Sequence, residues 1–288
     1  MRWTPGGVSD DIEDQRDGGG GGGFGYGPHL GIGGIIVVGI LSLLFHRNFF
    51  ALFYGGPGPD PSTAVSSGPR PAARDANDKQ VQFVSFVLDD VQHTWETLLP
   101  QQGHRDYRHA KLVLFRDQVQ SACGLAQSAT GPFYCPGDEK VYLDLGFFDE
   151  LRTRFGAPGE AAEAYVIAHE IGHHVQKLLG TEAQVTRLQQ ADPRERNPLS
   201  VDLELQADCY AGVWAHATEQ RNVIDQRDVA DALRAAAAVG DDRLQKMATG
   251  RVSPDSFTHG TSAQRMHWFQ AGVDSGQISS CNTFGSGR

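Results

Sequence analysis

Residues 169–173 read His-Glu-Ile-Gly-His. Two histidines four apart on a helix share one face and can grip one metal ion. The glutamate beside the first of them is placed to take a proton from a metal-bound water. The pentapeptide lies within an apolar run, AYVIAHEIGHHV over residues 164–175, whose spacing predicts a helix. His174 points about 100° away from His173 and is not expected to join the pair. The bare pattern arises by chance in about one chain in a hundred of this length, so its surroundings must carry the assignment.

A catalytic zinc needs three protein ligands and one open position. The second strong helical pattern, over residues 198–217, supplies a candidate in Glu204-Leu205-Gln206-Ala207-Asp208. Glu204 and Asp208 are one turn apart on one face. Glu204 is the expected third ligand, and Asp208 is expected to orient a ligand histidine through its other ring nitrogen. The plainer reading of both is a solvated acidic face.

These residues need a scaffold. Apolar spacing predicts helices over 79–99, from Glu160 to about Gly180, over 225–239 and over 262–271. Short strands are expected at 111–115 and 141–145, the second either a sheet edge able to pair with an extended peptide or a strand that simply completes a small sheet. The expected fold class is mainly α with a small β-sheet, α+β, in a domain spanning 79–288. Loops 102–109 and 181–199 are expected to carry specificity.

The N-terminal third differs in composition. Residues 1–28 are acidic and Gly-rich and read as a disordered tail. Residues 30–45 are uncharged and are followed by His46-Arg47-Asn48 and a second apolar run, so 29–54 read as one transmembrane anchor with Arg47 at the interface. The late start and the missing basic leader argue against a cleaved signal peptide. Residues 55–78 are a Pro/Gly/Ser-rich linker. A net charge of −10 with no basic patch excludes nucleic acid as an expected partner.

Four cysteines, Cys123, Cys135, Cys209 and Cys281, form no C-x-x-C pair and allow three pairings. Cys123–Cys135 with Cys209–Cys281 is favoured, because the first pair brackets a turn-rich stretch; four reduced thiols are the alternative. Disulfides imply an oxidising compartment, hence a periplasmic or otherwise extracytoplasmic domain on a single-pass cell-membrane protein.

The chain resembles the bacterial, membrane-anchored neutral zinc metallopeptidases. The resemblance rests on SACG at 121–124, GPFYCP at 131–136, VYLDL at 141–145, AYVIAHEIGHHVQ at 164–176, LELQADCYAGVWA at 203–215, AVGDDRLQ at 238–245 and FTHGTSAQR at 257–265. Its site plan is similar to that of gluzincins, H-E-x-x-H on one helix and E-x-x-x-D on the next. The resemblance implies a zincin-like domain, Zn2+ on His169, His173 and Glu204, and Glu170 as general base in hydrolysis of a peptide or protein substrate. An oxyanion donor is still required. His259 is the first candidate, ahead of Arg265 and Tyr210, against the plainer reading of a structural loop histidine. Two other functions fit the same residues: a non-catalytic zinc-containing interaction module, and a zinc hydrolase acting on a non-peptide amide.

Overall fold

The computed structural model describes residues 1–16, 78–103, 106–128 and 131–285. The expected anchor over 29–54 lies outside these residues, as does the linker apart from Asp78. Among the described residues no helix is long and apolar enough to cross a membrane. The described chain is mainly helical with a small sheet, as its spacing predicts.

The sheet is built from alternation. Strand β2 (Lys111–Phe115) lies between β1 (Ile12–Asp14) and β6 (Lys140–Asp144), parallel to both, and β5 (Phe133–Cys135) pairs antiparallel with β6. Leu112, Leu114, Val141 and Leu143 face the main core. Val113, Phe115 and Tyr142 face a smaller cluster under the hairpin of β3 (Gln118–Ser121) and β4 (Gly124–Gln127). A period of two thus serves both faces. The edge strands of this sheet are β1 and β5, whereas VYLDL is flanked on both sides; its continuous burial, not alternation, is the informative signal.

Residues 1–16 depart from the expected disordered tail. Ile12, Glu13 and Asp14 pair in register with Leu112, Val113 and Leu114. Trp3 packs on Phe83 and Phe86 of helix α1 (Lys79–Gln101), with ring centroids 5.3 and 6.1 Å apart. The acidic residues that suggested disorder are paired: Asp11 accepts from Lys111, and Glu13 accepts from Lys140 at 2.7 Å. Composition averages over a window and misses such specific partners in distant sequence. Asp78, the N-cap of α1, accepts from the Gln80 and Val81 amides and also from Arg16 Nη1 at 2.8 Å.

Helix α2 (Gly146–Thr153) leads into the motif helix α3 (Glu160–Leu179). Glu160 and Glu163 sit at the dipole-favoured start of α3, and Gly180, left-handed at φ 81°, ends it. The expected loop at 181–199 is instead helix α4 (Thr181–Ala191), a 3-10 turn, and the first turn of α5 (Arg196–Gln220). The break falls at Asp192-Pro193 alone, because Pro198 is tolerated in a helix's first turn. Helices α6 (Gln226–Ala238), α7 (Asp241–Thr249) and α8 (Ser262–Ser275) complete the described chain.

Both favoured disulfides are present, Cys123–Cys135 and Cys209–Cys281. The second ties α5 to the C-terminal segment beside a close helix crossing. There Gly212 of α5 meets Gly272 of α8 backbone to backbone. A Cβ on Gly212 would run into the carbonyl oxygen of Phe269, and one on Gly272 into that of Cys209. Gly212→Ala should therefore destabilise the domain by about 3 kcal/mol or more, the upper range of overpacking costs. Urea denaturation measures this, and an unchanged midpoint would show that the two helices can part without cost.

Candidate metal centre

The motif helix is buried over most of its length, and α5 crosses it at Gly172. A Cβ there would come within 3.0 Å of the Ala207 carbonyl oxygen and 3.2 Å of its Cα. The second variable position of the motif is thus a contact point, and glycine there lets the two helices approach. That approach brings Glu204 to the histidines.

Glu204 Oε2 lies 3.1 Å from His169 Nε2, and Glu204 Oε1 lies 3.5 Å from His173 Nε2. One donor atom from each of the three residues falls within 4.8 Å of the others. Tetrahedral zinc with bonds of about 2.0–2.2 Å separates neighbouring ligand atoms by about 3.3 Å. The observed spacings match that, so these residues fit the ion. The other ring nitrogens are engaged elsewhere. His169 Nδ1 lies 2.9 Å from Asp208 Oδ1, and His173 Nδ1 lies 2.8 Å from Gln176 Oε1. Both oxygens are acceptors, so Nδ1 carries a proton in each ring, and the Nε2 atoms that face Glu204 are the ones a bound ion would take in place of a proton.

Asp208 is fully buried and sits in a dense network. Arg265 donates to it twice, from Nε at 2.8 Å and Nη2 at 2.9 Å, and the Tyr165 hydroxyl also donates to it. Burial works to raise the Asp208 pKa, but the Arg265 charge and the His169 contact outweigh it and hold the carboxyl below its ordinary range. Burial likewise opposes protonation of His169, yet the Asp208 charge and the hydrogen bonds to Asp208 and Glu204 lift it to about 10. The centre therefore favours positive charge between its donors.

Glu170 is buried and lines a cleft of about 500 Å³ together with His169, His173, Glu204, His259 and Arg265. Gly131, Pro132, Phe133, Tyr134 and Pro136 form another wall, so the edge strand β5 borders the cleft. His259 is half-exposed, with Nδ1 3.3 Å from Asp241 Oδ1. Asp241 also accepts the backbone N–H groups of Thr258 and His259, each at 2.7 Å, which fixes the loop.

The other candidates fall elsewhere. Tyr210 is buried edge-on against Trp95 and does not line the cleft. Arg265 does line it, but its guanidinium is committed to Asp208. His174 points away, with Nε2 2.7 Å from the Arg108 carbonyl and Nδ1 3.0 Å from the Tyr134 hydroxyl. Sequence reasoning missed Tyr165, Gln176 and the structural part played by Arg265. Gln176 was within reach, being three residues after His173 on the same face. Arg265 was not, because nothing local marks which buried carboxylate it would meet.

Asp208→Asn leaves Arg265 buried beside a neutral amide. It should destabilise the domain by about 3–5 kcal/mol, and should weaken zinc binding by about 10- to 100-fold. Adding Arg265→Met should recover stability without recovering affinity. Denaturation and chelator competition read the two effects separately; parallel recovery of both would refute an orienting part for Asp208.

The chain matches, over residues 1–284, the sequence model of the family described as "Putative neutral zinc metallopeptidase". It is 45% identical over 292 residues to "Uncharacterized protein YpfJ" of Escherichia coli (strain K12), covering 99% of each chain. It is 45% identical over 207 residues to "Uncharacterized protein Rv2575" of Mycobacterium tuberculosis (strain ATCC 25618 / H37Rv), covering 68% of each. No solved structure matches it.

Proposed function

Because the chain belongs to the putative neutral zinc metallopeptidase family, whose cofactor is zinc, we propose that it is a membrane-associated zinc endopeptidase. The observation that carries this reading is the convergence of His169 Nε2, His173 Nε2 and the Glu204 carboxylate beside Glu170 in one cleft. The catalytic domain is the predicted 79–288 unit with residues 1–16 added to its sheet. Membrane contact is assigned to residues 29–54, and the two disulfides favour an oxidising, extracytoplasmic compartment.

In this reading His169, His173 and Glu204 would hold the ion, which would supply Lewis-acid polarisation of the scissile carbonyl and of the attacking water. Glu170 would take the proton of the attacking water and deliver it to the leaving amine. His259, steadied by Asp241, donates to the developing oxyanion. Asp208 and Gln176 hold the two histidine rings in the tautomer that presents Nε2. The free edge of β5 is positioned to take an extended peptide by strand addition across the cleft. A base at the position of Glu170 has no use in a non-catalytic zinc module, which sets that alternative lower.

The test uses the purified full chain in detergent, with its zinc content measured, against a diverse peptide pool. Glu170→Gln should retain zinc and lose turnover by about 10²- to 10⁴-fold, the usual contribution of a general base. A zinc-loaded wild-type chain inert on every peptide would favour a non-peptide amide or an interaction module. His259→Ala should retain zinc and lower kcat by about 10²- to 10³-fold; unchanged kcat would remove His259 from the mechanism.

A further inference from the structure

The two ends of the stretch 17–77 touch. Arg16 closes the turn after β1, donating to Asp14 from Nε and Nη2, and its Nη1 donates to Asp78 at 2.8 Å. Asp78 is the cap of α1. The described residues on either side of 17–77 thus meet at one point of the domain.

Several contacts independent of this pair hold β1 to the domain. Main-chain hydrogen bonds flank it, Leu112 N–H to Asp11 O and Gln15 N–H to Leu114 O, both 2.8 Å. Lys111 pairs with Asp11 and Lys140 with Glu13, each at 2.7 Å. Ile12 and Trp3 pack against the main core. Strand β1 also covers the backbone edge of β2, which would otherwise be a free sheet edge.

A bilayer's hydrocarbon core is about 30 Å thick. One crossing anywhere in 17–77 would place Arg16 and Asp78 on opposite faces and strip β1 from its sheet. Exchange of β1 between copies does not help, because copies inserted in one orientation carry their N-terminal segments on the same side as one another.

We infer that β1 and the metal centre lie on the same side of the bilayer that the stretch 29–54 is proposed to meet. Residues 1–16 and the catalytic domain then share one compartment, in place of the single crossing expected from sequence. The inference rests on the reading above that this stretch meets a membrane.

Cysteine labelling of the full chain in cells tests it. All four native cysteines are in disulfides, so the background is low. Val8 and Met247 are 45% and 50% exposed and lie outside the candidate metal centre, so Val8→Cys and Met247→Cys each give one reporter. A membrane-impermeant maleimide is applied to spheroplasts, intact or permeabilised. The expected result is equal labelling of both positions in intact spheroplasts of cells whose membrane fraction retains the protein. Equal labelling only after permeabilisation would also support a shared side, while overturning the extracytoplasmic assignment. Labelling of one position intact and of the other only after permeabilisation would overturn the inference and leave membrane association standing. Recovery of the full chain in the soluble fraction would overturn the membrane reading itself.

Discussion

The centre depends on one buried carboxylate. Asp208 is fully enclosed, and an isolated charge there would be prohibitively costly. It is tolerated because Arg265 from α8 meets it with two donors and because Tyr165 and His169 from α3 complete its shell. One side chain on α5 thereby ties three helices together, and the same contact sets the ring of a ligand histidine. Loss of any partner leaves the others buried without compensation, which joins the stability of the core to the geometry of the metal donors.

Glycines make this network possible. Gly172 lets α5 lie against the motif helix, and the Gly212–Gly272 contact lets α8 lie against α5. Side chains at those points would hold the helices apart, and Glu204 and Arg265 would lose their partners. The motif's second variable position is therefore constrained by packing as well as by chemistry. On the opposite side, the sheet and its edge strand β5 wall the cleft, and the Cys123–Cys135 bridge fastens that strand to the β3–β4 region.

Much of the centre was legible in the sequence, because its essentials are local. His169 and His173, and likewise Glu204 and Asp208, are i, i+4 pairs, and helical periodicity alone puts each pair on one face. The features that sequence reading missed are long-range. Arg265 finds Asp208 across 57 positions, and β1 finds β2 across about a hundred. Composition reads residues 1–28 as unable to fold by themselves, which is reasonable for an isolated segment; for residues 1–16 the domain supplies the cations and the open sheet edge that the segment lacks. The expected loop at 181–199 is mostly helical because only Pro193 breaks the chain, while Pro198 falls in the first turn of α5.

The central claim is that His169, His173 and Glu204 form the zinc site. Zinc-edge X-ray absorption of the metal-loaded full chain tests it most directly. The account predicts two imidazole nitrogens and carboxylate or water oxygens at about 2.0–2.2 Å, with no sulfur, and loss of one oxygen ligand in Glu204→Ala. Sulfur scattering, a single imidazole, or a spectrum unchanged by Glu204→Ala would contradict it.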